Sequence, residues 1–67
     1  MLVKKSFSLS GHRTSVALEA EFWTVLEREA GNQSLAAYVS EIDKTRGTRP
    51  LASALRLAAL AAAARHP

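Results

Sequence analysis

The sequence predicts a mainly α-helical domain that carries a short β-ribbon near its N-terminus and folds as a homodimer. Three observations support this prediction. Residues 13–18 alternate between polar and apolar side chains, which is typical of a half-buried strand. Three later segments repeat apolar residues at helical spacing. Finally, 67 residues without a cysteine can build only a small core and no disulfide, so a second copy is the support that remains.

Two strands are expected before the helices. Residues 3–9 alternate in the same way, although Lys5 interrupts their apolar face. The glycine in the tripeptide 10–12 adopts a positive φ easily, so a turn is expected there. Residues 1–12 therefore form an N-terminal arm or an extra strand. The ribbon strand, 13–18, is too short to be stable alone, so we expect it to pair antiparallel with its counterpart in a second copy.

Three helices are expected over residues 19–30, 34–44 and 50–65, which completes a single domain over 1–67. The first starts without a capping side chain, and Gly31 suits its C-terminal end. Ser34 suits the N-cap of the second. Pro50 fits the first turn of the alanine-rich third helix, while Arg65 and His66 complement its negative end. Four leucines are expected to form one side of the third helix: Leu51, Leu55, Leu57 and Leu60.

Apolar residues at these spacings define a core that the two copies would share. Bulky aromatic side chains at such positions are more often core residues than ligand-stacking residues. The expected residues of the dimer core are Val16, Leu18, Phe22, Trp23, Leu26, Leu35, Val39 and Ile42.

The charges are sorted along the chain. Residues 1–18 contain three cations and no acid, whereas residues 19–43 contain six acids and one arginine. Residues 44–67 contain five cations and no acid. A basic N-terminal arm of this kind can face a polyanion. The alternative is a set of solvated surfaces whose charges balance across a dimer.

Catalysis and cofactor binding have little support in the sequence. It contains no Gly-rich phosphate loop, no metal-ligand spacing and no paired carboxylates of note, so no catalytic residue, metal or cofactor is expected. The apolar tail 51–64 is too short to span a bilayer, and residues 1–11 lack the apolar run of a signal peptide. A cytoplasmic, non-enzymatic protein is therefore expected.

The strand ends in Leu18, an acidic first helix follows, Gly31 lies in the next turn, and Ser34 starts the second helix. In these features residues 13–45 resemble a ribbon-helix-helix domain, through the run RTSVALEAEFWTVLEREAGNQSLAAYVSEI. The motifs GHRTS, LE..FW, EID and LASALRL are similar to those of a small bacterial subgroup of that family.

The resemblance implies a homodimer whose two-stranded ribbon enters the major groove of double-stranded DNA. It also implies that alternate strand residues read the bases, here Arg13, Ser15 and Ala17. Of these, Arg13 alone can make a bidentate contact to guanine. The alternative for Arg13 is an exposed salt bridge with Glu19 or Glu21, within the chain or between the two copies.

Phosphate contacts are expected from two places. The resemblance implies that the N-terminus of the second helix, at Gln33 and Ser34, faces a phosphate, as helix N-termini favour anions. Lys4 and Lys5 can add contacts that carry no sequence information; the alternative is that these lysines serve solubility alone.

Two functions follow from these expectations. The first is a DNA-binding homodimer that regulates transcription. The second is a protein-interaction module that keeps the fold and docks another protein, or a further dimer, through its third helix. The position of residues 1–9 discriminates between them, because a ribbon face covered by these residues favours the interaction module.

Overall fold

The structure is a computed structural model, and it describes residues 1–65. Its elements are β1 (Leu2–Leu9), β2 (His12–Glu19), α1 (Ala20–Ala30), α2 (Leu35–Thr45) and α3 (Leu51–Arg65). The predicted fold class is confirmed, since a two-stranded antiparallel ribbon precedes three helices. The expected role of His66 at the end of α3 lies outside the described residues.

A two-residue turn joins β1 to β2. Ser10 and Gly11 have φ angles of 52° and 81°, and two successive positive φ angles are the mark of a type I′ turn. This turn matches the right-handed twist of the strands, so they pair over their whole length, from Leu2 opposite Glu19 to Leu9 opposite His12. The ribbon is therefore a hairpin within one chain.

The hairpin gives β2 one partner within the chain, and the expected pairing with the same strand of a second copy stays a prediction. Within the chain, the hydrogen-bonding partner of residues 13–18 is β1. β2 has a paired strand within the chain because the Ser10–Gly11 turn folds β1 back beside it. The outer edges of β1 and β2 have no paired strand among residues 1–65. The dimer itself stays a prediction.

The helix ends follow the chemistry of their residues. Ser34 is the N-cap of α2, and its Oγ accepts a hydrogen bond of 3.0 Å from the backbone N–H of Ala37, which confirms the predicted cap. Gly31 ends α1 with a φ of 63°. Glu19 precedes α1 without a side-chain capping bond, as expected. Pro50 lies just before α3, and its carbonyl accepts from the N–H of Ala54 at 3.0 Å.

The core lies between the inner face of the hairpin and the three helices. Each of the eight residues expected in a dimer core is either buried in it or packed against it within this single chain. Both strands contribute, and β1 adds Phe7 and Leu9, which are 6% and 5% exposed. Trp23 is 3% exposed and donates from Nε1 to the carbonyl of Val3 at 2.7 Å, which ties α1 to β1.

The four leucines of α3 do not share one side of the helix, so that expectation is wrong. Leu55 is fully buried and Leu51 packs against the core, whereas Leu57 and Leu60 are 46% and 58% exposed. The reason is helical spacing. Leu51 and Leu55 are four residues apart and share a face. Leu57 and Leu60 follow Leu55 by two and by five residues, so they point away from that face.

None of the helices within residues 1–65 combines the length and the apolar character that crossing a bilayer requires.

Candidate nucleic-acid interface

The hairpin has one face against the helices and one face open to solvent. Side chains alternate between faces along each strand, and the register places residues of both strands side by side on the open face. The open face carries Lys4, Ser6 and Ser8 of β1 and Arg13, Ser15 and Ala17 of β2. Residues 1–9 lie beside β2 and leave this face uncovered.

The three residues expected to read bases all belong to this open face. Arg13 and Ser15 are exposed and Ala17 is half-buried. Arg13 takes part in no ion pair among residues 1–65, so a salt bridge with Glu19 or Glu21 does not form within the chain. The alternative salt bridge between two copies stays a prediction. Its guanidinium is therefore free to contact another molecule.

The open face also includes serines that were not singled out in the sequence. Ser6 lies opposite Ser15, with 2.9 Å between their hydroxyl oxygens. Ser8 lies opposite Arg13 at the turn end of the hairpin. The signal that could have identified them is the alternation of residues 3–9 combined with the turn, because these two features place the even-numbered residues of β1 beside Arg13 and Ser15.

The two lysines of β1 lie on opposite faces. Lys4 is exposed on the open face, with no ion-pair partner within the described part of the chain. Lys5 points toward the helices, where its Nζ lies 3.7 Å from Glu27 Oε2 and 5.7 Å from the centre of the Trp23 ring. The structure thus does not bring Lys4 and Lys5 together, and Lys5 is occupied by contacts within the chain.

The start of α2 shows how its two candidate residues are engaged. Ser34 uses its hydroxyl to cap the helix. Gln33 donates from Nε2 to Glu41 Oε1 at 3.0 Å, so its side chain is directed to a carboxylate. The backbone N–H groups of Leu35 and Ala36 stay available at the positive end of the helix dipole.

Carboxylates are largely neutralised where they approach the ribbon. Glu19, at the end of β2, accepts from Arg56 of α3, whose Nε and NH2 lie 3.2 Å and 3.1 Å from its Oε1. A hydrogen bond from its own backbone N–H and the Arg56 guanidinium together lower the pKa of Glu19 below its ordinary value. Arg65 similarly pairs with Glu29 at 2.7 Å. The open face therefore keeps two unpaired cations, Lys4 and Arg13, beside an acid that is already paired.

The Tyr38 side chain is half-buried, and burial together with the nearby Glu29 raises its pKa above 10.0. Residues 1–65 contain no group of three or more histidine, aspartate or glutamate side chains able to hold a metal ion.

Comparison with protein families agrees with this geometry. The family model described as the ribbon-helix-helix domain matches residues 2–63. The chain belongs to the ribbon-helix-helix family. A search of curated proteins and a search of solved structures each found no match.

Ribbon-helix-helix domains generally form dimers, bind DNA and act as transcription regulators rather than as enzymes. The match includes β1 and most of α3 as well as the shorter segment that resembled the family in sequence. The hairpin and the third helix of this chain therefore fall within its family domain.

Proposed function

We propose that this ribbon-helix-helix protein is a homodimeric, cytoplasmic transcription regulator that binds double-stranded DNA with the open face of its ribbon. The observation that carries the proposal is the composition of that face. It joins two unpaired cations and several hydroxyl groups on a two-stranded ribbon, and a ribbon of this width fits the major groove.

Within this proposal the residues of the face have different roles. Arg13 contacts guanine through two hydrogen bonds, Ser15 contacts a base edge, and Ala17 touches a thymine methyl group. Lys4 contacts phosphate, as do the free N–H groups at the start of α2, next to Ser34. Lys5 is left out of the interface because Glu27 and Trp23 already hold it.

The homodimer is supported by the family and by the surface of α3. Ribbon-helix-helix domains generally form dimers, and α3 exposes Leu57 and Leu60 on a side that bears no charged residue between Arg56 and Arg65. A dimer joined there leaves the open faces of both ribbons free. The same leucines are also the specific observation that favours the second candidate, a module that docks another protein through α3.

The first experiment replaces Arg13 with alanine and measures binding to selected and unrelated duplexes by fluorescence anisotropy. Loss of a bidentate guanine contact should weaken binding to the selected duplex by about 1–3 kcal/mol and leave binding to unrelated duplexes nearly unchanged. Arg28→Ala is the matched control, because Arg28 is an exposed arginine of α1 on the helix side of the sheet. A properly folded protein that binds no duplex at low salt would contradict the proposal.

A second variant, Lys4→Ala, separates phosphate contacts from base contacts. It should weaken binding to all duplexes alike and reduce the slope of log affinity against log salt by about 1, through one released counterion fewer. Lys44→Ala, an exposed lysine on α2, should leave that slope unchanged. Equal effects of the two lysine variants would show that binding is not directed by the open face.

A further inference from the structure

The two strands of the hairpin contribute different chemistry to the open face. β2 carries the three residues to which the proposed function gives base contacts. β1 contributes Lys4, Ser6 and Ser8, and all three are exposed. An ammonium group and hydroxyl groups are donors that commonly contact phosphate oxygens in protein–DNA complexes. The side chains of β1 on this face are therefore suited to the DNA backbone.

The donors of these three side chains are available to another molecule. Lys4 takes part in no ion pair among residues 1–65. The hydroxyl of Ser8 makes no hydrogen bond within the same residues. Ser6 and Ser15 share one hydrogen between their hydroxyl oxygens, which lie 2.9 Å apart, so the pair keeps a second hydroxyl hydrogen for an outside acceptor.

The backbone of β1 adds further donors at its outer edge. The two-residue turn closes on the pair Leu9–His12, whose members exchange hydrogen bonds. Hydrogen-bonded and non-hydrogen-bonded pairs alternate along an antiparallel ladder, so Lys4, Ser6 and Ser8 occupy non-hydrogen-bonded positions. Their backbone N–H groups point away from β2, toward an edge that has no paired strand among residues 1–65. Such N–H groups also donate to phosphate oxygens.

The width of the major groove indicates where β1 lies when β2 contacts the bases. The groove is about 12 Å wide, so its walls lie about 6 Å from its axis. Neighbouring strands are about 4.8 Å apart. If β2 shares the axis with the same strand of a second copy, β1 lies about 7 Å from the axis, and if β2 alone follows the axis, β1 lies about 4.8 Å from it. Both positions are close to the phosphates of the wall, so the placement of β1 is the same for either dimer.

We propose that β1 runs along the sugar–phosphate backbone at the wall of the major groove, with Lys4, Ser6 and Ser8 as its phosphate contacts. This inference rests on the proposed DNA binding and extends the phosphate contact from Lys4 to the whole strand. Phosphate contacts fix the register and orientation of a protein on the duplex and carry no sequence information. β1 therefore positions β2 over the bases and does not itself read them.

The test measures the affinity of Ser8→Ala, and of the double variant Ser6→Ala, Ser8→Ala, for selected and unrelated duplexes by fluorescence anisotropy. Binding should weaken by roughly 2- to 12-fold for each hydroxyl lost, to the same extent on both kinds of duplex. Sites selected from random duplexes should stay the same. Ser53→Ala is the matched control, because Ser53 is an exposed serine of α3, and it should bind as the wild type does. Ser8→Thr keeps the hydroxyl and should keep the affinity, and circular dichroism checks that each variant folds.

Duplexes with a single neutral methylphosphonate locate the contact. Wild-type protein should lose affinity when the phosphate next to Ser8 is neutralised, and Ser8→Ala should lose less at that position while responding normally at the others. The inference is overturned if the serine variants select different sequences, if they bind as tightly as Ser53→Ala, or if Ser8→Ala and the wild type respond alike at every phosphate. DNA binding itself persists in these three cases. Absence of binding to any duplex instead removes the proposed function together with this inference.

Discussion

At the scale of single residues, the turn between the strands determines whether one chain can make its own ribbon. Ser10 and Gly11 both adopt left-handed backbone conformations, with φ angles of 52° and 81°. A side chain added at Gly11 would meet no atom within 4 Å. Any penalty for a substitution at this glycine therefore comes from the backbone conformation and not from a steric clash.

Gly11→Ala should lower the free energy of unfolding by about 1–2 kcal/mol, because a Cβ disfavours the left-handed region. Urea unfolding followed by circular dichroism measures this change. Ser10→Asn is the control, since asparagine tolerates positive φ and is common in type I′ turns; its stability should match or exceed that of the wild type. A Gly11→Ala protein as stable as the wild type would contradict the assigned turn.

Lys5 shows what a sequence pattern can and cannot place. Alternation along residues 3–9 assigns Lys5 to the apolar face of the strand, and the structure agrees. The pattern cannot identify the side chains that contact its ammonium group, because Glu27 and Trp23 belong to a helix distant in sequence. Those contacts let the lysine stem lie along apolar surface while its ammonium meets a carboxylate.

At the scale of elements, local signals predicted each strand and helix to within one residue of its observed ends. These signals are the spacing of apolar residues, the capping residues and the glycines. Each of them depends on residues that are close together in sequence. Strand pairing depends on distant residues, and alternation alone fits β1 and a second copy of β2 equally well. The Ser10–Gly11 turn indicates the pairing within the chain, because two residues with positive φ favour a hairpin. Pairing with a second copy along the other edge of β2 stays a prediction.

The packing of α3 against the end of β2 predicts a dependence of stability on pH. The pKa of Glu19 is lowered in the folded chain, so its contribution is fully present above the unfolded value of about 4.3 and is lost as pH falls through the folded pKa. Glu19→Gln should therefore flatten the decrease in melting temperature below about pH 4.3, measured by circular dichroism from pH 2.5 to pH 6.

Two variants control this pH experiment. Arg56→Gln removes the partner guanidinium and should flatten the same part of the curve only in part, because the backbone hydrogen bond to Glu19 remains. Glu21 is an exposed neighbour with no ion pair in the described chain, so Glu21→Gln should leave the curve close to that of the wild type. If Glu19→Gln and the wild type lose stability in parallel, Glu19 does not make this contribution.

At the scale of the whole molecule, one copy already encloses a core. The chain exposes 4416 Å², close to the roughly 4,100 Å² expected of a folded monomer of this mass. No buried side-chain nitrogen or oxygen in the described chain lacks a hydrogen-bond partner. The small size of the chain predicted the support of a second copy, and β1 and α3 supply support within the chain by adding Phe7, Leu9 and Leu55 to the core. One copy therefore forms a domain with an interior of its own, and the dimer stays a prediction.

The proposed dimer should then depend on the outer side of α3. Leu57 and Leu60 are about half exposed, so covering each contributes roughly 1 kcal/mol, or about 4 kcal/mol for a symmetric dimer. The double variant Leu57→Ser, Leu60→Ser should raise the dissociation constant by roughly three orders of magnitude, measured by sedimentation equilibrium. Its monomer should unfold at nearly the wild-type free energy, whereas Leu55→Ala, at a fully buried position, should lose about 2–5 kcal/mol. A double variant that stays dimeric with unchanged affinity would place the interface elsewhere, and the free outer edge of β2 is then the surface to test, because an unpaired edge strand can pair with another chain.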